Sequence, residues 1–203
     1  VSVDQYKVLD STPRYTGRII SLRTDEVEMS DGVVSRREVV EHPGAVAIVA
    51  LDPEDKVVMV RQYRHPVGEY LDELPAGILD VDGESAVRAA QRELHEESAL
   101  TAGRWDVLID LYASPGMSDE AIRVFLARDL LPVPEQDRFV PEHEEITMTV
   151  SRVPLSAAVD RVLAGQIVNS IAVAGILAAE AARARGWVGL RPSNSDWSAR
   201  PGR

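Results

Sequence analysis

The chain has 203 residues, 45% of them hydrophobic, which suffices for one domain with a sizeable core and short extensions. Its formal charge of -11 and its lack of cysteine exclude disulfides, thiolate nucleophiles and cysteine-ligated zinc, and argue against a general binder of nucleic acid. No stretch is long and apolar enough to span a bilayer, and VSVDQYKVLD at the amino terminus has no basic region followed by an apolar core; a cytoplasmic protein without nucleic-acid or membrane partners is the expectation.

From Tyr15 to Glu41 polar and apolar residues alternate around Asp31-Gly32, a hairpin signal that predicts short antiparallel strands. Ala45 to Leu51 predicts a buried strand, Asp52 to Asp55 a turn, and Val57 to Tyr63 a second strand emerging toward Arg64, the centre of a mixed sheet. The segment Glu69 to Gly77, EYLDELPAG, leads into a loop, and Ser85 stands where it can cap the helix that follows. Further strands are expected over Trp105 to Tyr112, Ala121 to Ala127 and Ile146 to Val153. They are separated by Ser114-Pro115-Gly116 and by a proline-rich acidic loop from Leu131 to Glu145. Leu155 to Ala164 and Ser170 to Arg185 predict two closing helices, and Arg191 to Arg203 has the composition of a disordered end. No internal repeat is present, and these elements alone support an α/β or α+β fold.

The chemistry concentrates in Gly77 to Leu100, GILDVDGESAVRAAQRELHEESAL. Residues three and four apart on a helix share a face, so Glu93, Glu96 and Glu97 bring carboxylates together, and their repulsion is relieved by a hard dication. A glutamate-rich helix is more often a solvated face. Here Ala86, Ala90 and Leu94 recur every four residues and pin the helix to a core, leaving the acids clustered rather than interspersed with lysines. A zinc-protease helix fails because H-E-x-x-H needs a histidine at Ala99, and Asp80, Asp82 and Gly83 do not have calcium-loop spacing.

This segment resembles the Nudix box, G-x5-E-x7-R-E-U-x-E-E-x-G-U, where U is bulky and apolar. Glu84, Arg92, Glu93, Leu94, His95, Glu96, Glu97, Ser98 and Leu100 match it. The stretch from Gly77 to Glu84 is one residue longer, and Ala99 replaces the second glycine. The resemblance implies an α/β/α sandwich on a mixed sheet, here with an N-terminal antiparallel strand extension. The implied organisation is residues 1–42 as a β extension acting as a dimer arm, 43–190 as the hydrolase domain and 191–203 as a tail. It also implies attack of metal-activated water on a pyrophosphate, with Mg²⁺ as cofactor and Mn²⁺ as a substitute. Glu93 and Glu97 are then the principal ligands, Glu96 assists, the carbonyl of Ala76 contributes, and Arg92 holds a glutamate in place.

Outside the box, Pro115 stands fifteen residues after Leu100, a spacing similar to that of ADP-ribose pyrophosphatases. Glu73 to Gly77 (ELPAG) and Glu142 to Ile146 (EHEEI) also resemble that subfamily. The resemblance makes Glu142 the general base and Glu144 a metal ligand or alternative base. It assigns Arg37, Glu41, Arg64, Ile78, Ser114, Gly116 and Glu120 to the substrate, the first two through an exchanged-arm homodimer. The implied reaction is hydrolysis of ADP-ribose to AMP and ribose 5-phosphate. The alternatives are a broader hydrolase of nucleoside-diphosphosugars or oxidised nucleotides, and a ligand-binding regulator without turnover, against which the intact glutamates speak.

Overall fold

The computed structural model describes residues 6–140, 147–198 and 200. The chain forms two compact units. One is built from the amino-terminal residues through Gly44 together with Tyr112–Ala121, the other from Ala45–Leu111 and Ile122–Trp197.

The first unit is an antiparallel sheet of β1 (Lys7–Thr16), β2 (Ser21–Glu28) and β3 (Val34–Glu41) in that order. The hairpin forms at the expected place: Gly32 adopts φ +80°, and the chain is closed by Met29 N donating to Val33 O at 2.8 Å. Strand β1 was not expected before Tyr15, because its sequence KVLDSTPRYT carries a proline and no clean alternation. It nevertheless pairs with β2 along its length, with register shifts between Val8 and Asp10 and between Pro13 and Tyr15.

The second unit holds the core. Strands β4 (Ala45–Ala50), β5 (Lys56–Arg64), β6 (Glu69–Glu73), β7 (Ala76–Ile78), β8 (Leu100–Tyr112), β9 (Ala121–Pro132), β10 (Thr149–Pro154) and β11 (Arg191–Pro192) form two sheets. The five-stranded one runs β11-β8-β9-β4-β7 and is mixed, since β4 lies parallel to β9 and antiparallel to β7. The other runs β10-β5-β6 and is antiparallel. Helix α1 (Ala86–Ser98) packs on β7, β4 and β5; α2 (Leu155–Leu163) packs on β10, β5 and α3; α3 (Ser170–Arg183) packs on β4 and β6. Strand β4 is buried at every position, as a strand covered on both faces must be. The α3 backbone approaches the sheet at Gly175, where a Cβ would stand 2.6 Å from Leu74 Cδ1 and 3.2 Å from Val49 Cγ2. This is a mixed α/β fold with helices on a mixed sheet, as expected.

Three local readings need correction. Ser85 occupies the N-cap position of α1 but its side chain makes no capping bond, whereas Asn169 caps α3 by accepting from the N–H groups of Ile171 and Ala172, both at 3.0 Å. The segment Glu69 to Gly77, read only as leading into a loop, does so and also contributes β6 and the start of β7. Arg191 to Trp197, read as the start of a disordered tail, is folded: β11 pairs with β8 and Trp197 is buried. The cause is non-local, because Arg123 donates to the carbonyls of Ser195 (2.7 Å) and Asp196 (2.9 Å), and its guanidinium lies 4.9 Å from the centre of the Trp197 ring.

Candidate active site

Helix α1 is anchored by Ala89, Ala90 and Leu94, which are fully buried; Ala86, expected on the same stripe, is only half-buried. Burying a leucine side chain is worth about 1.5–3 kcal/mol, so Leu94 fixes which way the intervening acids point. Glu93 and Glu97, one turn apart, both reach β7. Ala76 N donates to Glu97 Oε2 at 2.9 Å. The Glu93 carboxylate lies over Gly77, where an added Cβ would fall 2.0 Å from Oε1 and 2.1 Å from Cδ. Glycine is therefore required at 77 by close approach. The motif contained that glycine, but its spacing gave no sign that it makes room for a glutamate sixteen residues further along the chain.

Arg92 occupies the middle of the remaining acids. It donates to Glu84 Oε1 and Oε2 (3.3 and 3.2 Å), to Glu93 Oε1 (2.7 Å) and to Glu96 Oε2 (3.0 Å). Burial alone lowers the pKa of its guanidinium, but its hydrogen bonds to Glu84 and Glu96 and the charges of Glu93 and Glu96 outweigh burial and hold it well above its ordinary value. Arg92 thus holds more than the one glutamate expected of it.

Among the described residues no three histidine or acidic side chains form a metal cage by themselves. The donor set at β7 nevertheless fits a hard cation, because Glu93 and Glu97 offer carboxylate oxygens against adjacent residues of one strand. A further oxygen has to come from the main chain near Ala76 or from another segment. Glu142 and Glu144 lie outside the described residues. The residues flanking them do not: Phe139 and Met148 line one cavity of about 340 Å³ together with Glu96 and Glu97.

The residues assigned to substrate fall into separate groups. Arg37 and Gly116 line a pocket of about 490 Å³ with Tyr112, Pro115 and Asp119. Within that unit the Ser114 carbonyl closes the turn by accepting from Met117 N (3.0 Å) and Ser118 N (2.9 Å). Asp119 accepts from His42 N at 2.9 Å, Glu120 lies 3.8 Å from His42 Nδ1, and Glu41 is held by Arg23 at 2.5 Å. In the other unit Arg64 is committed to the buried Glu73 through two hydrogen bonds of 2.9 and 2.6 Å, a partnership that sequence did not indicate. Ile78 ends β7, half-buried and paired with Ala45.

Residues 41–166 match the NUDIX domain, and residues 6–40 match the nucleoside diphosphate sugar hydrolase N-terminal domain. Over 196 residues the chain is 48% identical to a protein from Mycobacterium tuberculosis named ADP-ribose pyrophosphatase, covering 97% of this chain and 93% of that one. It is 41% identical over 139 residues to a Bacillus subtilis protein of the same name, covering 66% of this chain and 74% of that one. A crystal structure of an ADP compounds hydrolase superposes with a TM-score of 0.77 at 24% identity, over 93% of this chain and 100% of the other.

Proposed function

This chain belongs to the NUDIX family, and on that premise we propose that it is a metal-dependent hydrolase that cleaves the pyrophosphate of ADP-ribose to AMP and ribose 5-phosphate. The observation that carries the substrate is the likeness along nearly the whole chain to an ADP-ribose pyrophosphatase. The seating of Glu93 and Glu97 side by side on β7 supports the chemistry.

Members of this family generally use divalent metal ions, and Mg²⁺, with Mn²⁺ as a substitute, suits an all-oxygen donor set. Glu93 and Glu97 are its principal ligands, with Glu96, the carbonyl of Ala76 and Glu144 assisting. When bound, such an ion neutralises phosphate oxygens and acidifies water. Arg92 keeps Glu93 and Glu96 in register, and Glu142 takes the proton from the attacking water. Phe139, three residues before Glu142 in the sequence, lines the cavity of Glu96 and Glu97.

Arg37 and Gly116 bind the organic portion of the substrate, with Ser114 and Glu120 of the same unit beside them. Glu41, Arg64 and Ile78 are assigned to the substrate by the same resemblance, Glu41 like Arg37 through the homodimer. The protein acts as a cytoplasmic homodimer whose N-terminal sheet is the contact arm. Val8, Leu9, Tyr15, Ile19 and Ile20 are all more than 40% exposed there, a quantity of apolar surface that a second copy would cover. Among the described residues no helix is long and apolar enough to cross a membrane.

The match of residues 6–40 to the nucleoside diphosphate sugar hydrolase N-terminal domain favours a second reading, in which other nucleoside-diphosphosugars are cleaved as well. A panel of ADP-ribose, ADP-glucose, NADH, a diadenosine polyphosphate and an oxidised purine nucleotide, each with Mg²⁺ or Mn²⁺ and with products resolved by chromatography, separates the readings. ADP-ribose should give the highest kcat/KM. Equal values for ADP-ribose and ADP-glucose would favour the broader enzyme, an oxidised purine nucleotide in first place would overturn the substrate assignment, and no turnover of any would favour a regulator.

A further inference from the structure

Helix α1 carries a second polar face beside its metal-ligand carboxylates. Gln91 and Arg92 each stand three or four residues from both Arg88 and His95, so the four share a side. With Glu84 and with Thr101, Ala102 and Trp105 of β8 they enclose a cavity of about 510 Å³, within the roughly 300–1,000 Å³ of small-molecule sites.

Its chemistry is unlike that of the chain as a whole. In a protein of net charge -11 this cavity gathers Arg88, Arg92 and His95 against one carboxylate, Glu84. Arg92 is already shared among three glutamates, but Arg88 pairs with no acid among the described residues and donates to the amide oxygen of Gln91 at 3.0 Å. Across from these side chains stands Trp105. Its indole N–H is satisfied by Ala102 O at 3.1 Å and its ring is braced by Phe125, edge to face at 6.2 Å. The wall it offers is flat, apolar and fixed, and needs no hydrogen bond from a ligand. One end of the cavity thus suits an anion and the other an aromatic ring.

We propose that this cavity is a second, non-catalytic binding site for a nucleoside monophosphate, with the phosphate at Arg88 and His95 and the base against Trp105. Because Arg92 lines the cavity and also holds Glu93 and Glu96, an anion placed there competes with those carboxylates for its guanidinium. Occupancy is thereby linked to the metal-ligand face of the same helix. The proposal depends on the cavity and not on which pyrophosphate the enzyme cleaves.

The test is calorimetric titration of the full chain with AMP in excess chelator, where metal-dependent binding is absent. Saturable binding is expected, at least tenfold tighter than that of inorganic phosphate. Arg88→Glu should weaken it at least tenfold and Arg88→Lys by no more than a few fold, both leaving the kcat for ADP-ribose within twofold. In the wild type with metal, AMP should leave a component of inhibition that saturating ADP-ribose does not relieve, and Arg88→Glu should remove it. No saturable binding in chelator, equal affinity for AMP and inorganic phosphate, or unchanged AMP affinity in folded Arg88→Glu would each overturn the proposal. A wild type that binds AMP in this way but does not hydrolyse ADP-ribose would leave it standing and overturn the substrate reading alone.

Discussion

Around Arg92, three glutamates lean on one guanidinium whose side chain is 32% exposed, and Glu97 adds a fourth carboxylate one turn along from Glu93. Around Arg123, whose side chain is 3% exposed, the balance is reversed: Arg123 and Arg191 share the single carboxylate of Asp110, and the remaining donors of Arg123 go to the carbonyls of Ser195 and Asp196. Both regions are organised by an arginine, but only the first is left with excess negative charge in a wet setting. That excess is what a cation would relieve, whereas the second network is complete in itself and fastens the carboxyl-terminal segment to β8 and β9. Functional charge clusters are under-neutralised; structural ones are closed.

The largest effect should come from taking charge out of the open network. Glu93→Gln or Glu97→Gln is expected to lower kcat/KM for ADP-ribose by about a thousandfold or more, on the scale of losing metal activation of water, while the melting temperature holds or rises as repulsion is relieved. Steady-state kinetics beside a thermal melt measure both. Full activity of wild type in excess chelator would remove the metal from the mechanism altogether.

The closed network should respond in the opposite way, with stability lost and catalysis kept. Asp110→Asn leaves Arg123 buried beside carbonyls alone, and breaking a buried ion pair costs about 3–5 kcal/mol, readable as a shift in denaturant midpoint. Burial raises the Asp110 pKa, but hydrogen bonds from Arg123 and Arg191 and their charges more than offset this and hold it below the ordinary carboxylate value. A depressed folded-state pKa gives stability that is present in full above the unfolded value, about 3.9, and is lost as pH falls through the lower folded value. Acid melts of wild type should therefore show a loss of stability below about pH 4 that Asp110→Asn largely lacks. Identical acid profiles would show that the clasp contributes nothing at Asp110.

Within the catalytic region, the residue expected to move the proton is tested separately from those expected to hold metal. Glu142→Gln should reduce kcat roughly a hundredfold with little change in KM, the range for losing a general base, and Glu145→Gln should be tolerated. A larger loss at Glu144 than at Glu142 would transfer the role along the chain.

The two regions also differ in how much of them a reader of sequence can see. Glu84, Arg92, Glu93, Glu96 and Glu97 lie within one loop and one helix, so helical spacing alone predicts their proximity. The buried strand β4 and the hairpin at Asp31-Gly32 were legible for the same reason, since alternation and turn chemistry are local. Arg123, Asp110, Arg191 and Trp197 are far apart in sequence, Arg191 standing 81 residues from Asp110, and a short polar tail with one tryptophan carries no periodicity that would announce a fold. Strand β7 was missed because three residues are too few for a pattern, although it is the strand on which Glu93 and Glu97 rest. The partnership of Arg64 with Glu73 fails to show for a different reason: both are plausible surface charges until β5 and β6 are paired.

The smallest effect lies where the box departs from its usual pattern. Ala99 ends α1 with φ 52° and ψ 41°, the left-handed conformation that the missing glycine adopts without penalty, and its N–H donates to His95 O at 3.0 Å. Its carbonyl is fixed as well, accepting from Val133 N at 2.9 Å, so the residue is held in this conformation from both sides. Alanine pays about 1–2 kcal/mol for it, and glycine returns about 0.4–1 kcal/mol through the greater freedom of its unfolded chain. Ala99→Gly should therefore stabilise the protein by about 0.5–1 kcal/mol, a rise of about 1–4 °C in Tm for a chain of this size. Because Ala99 adjoins Glu96 and Glu97 in the cavity lined by Phe139, the same variant asks whether the helix end positions the acids. Turnover within twofold of wild type would mean that Leu94 and β7 hold them unaided; a larger change, with Tm raised, would mean that the strained alanine is part of how they are aimed.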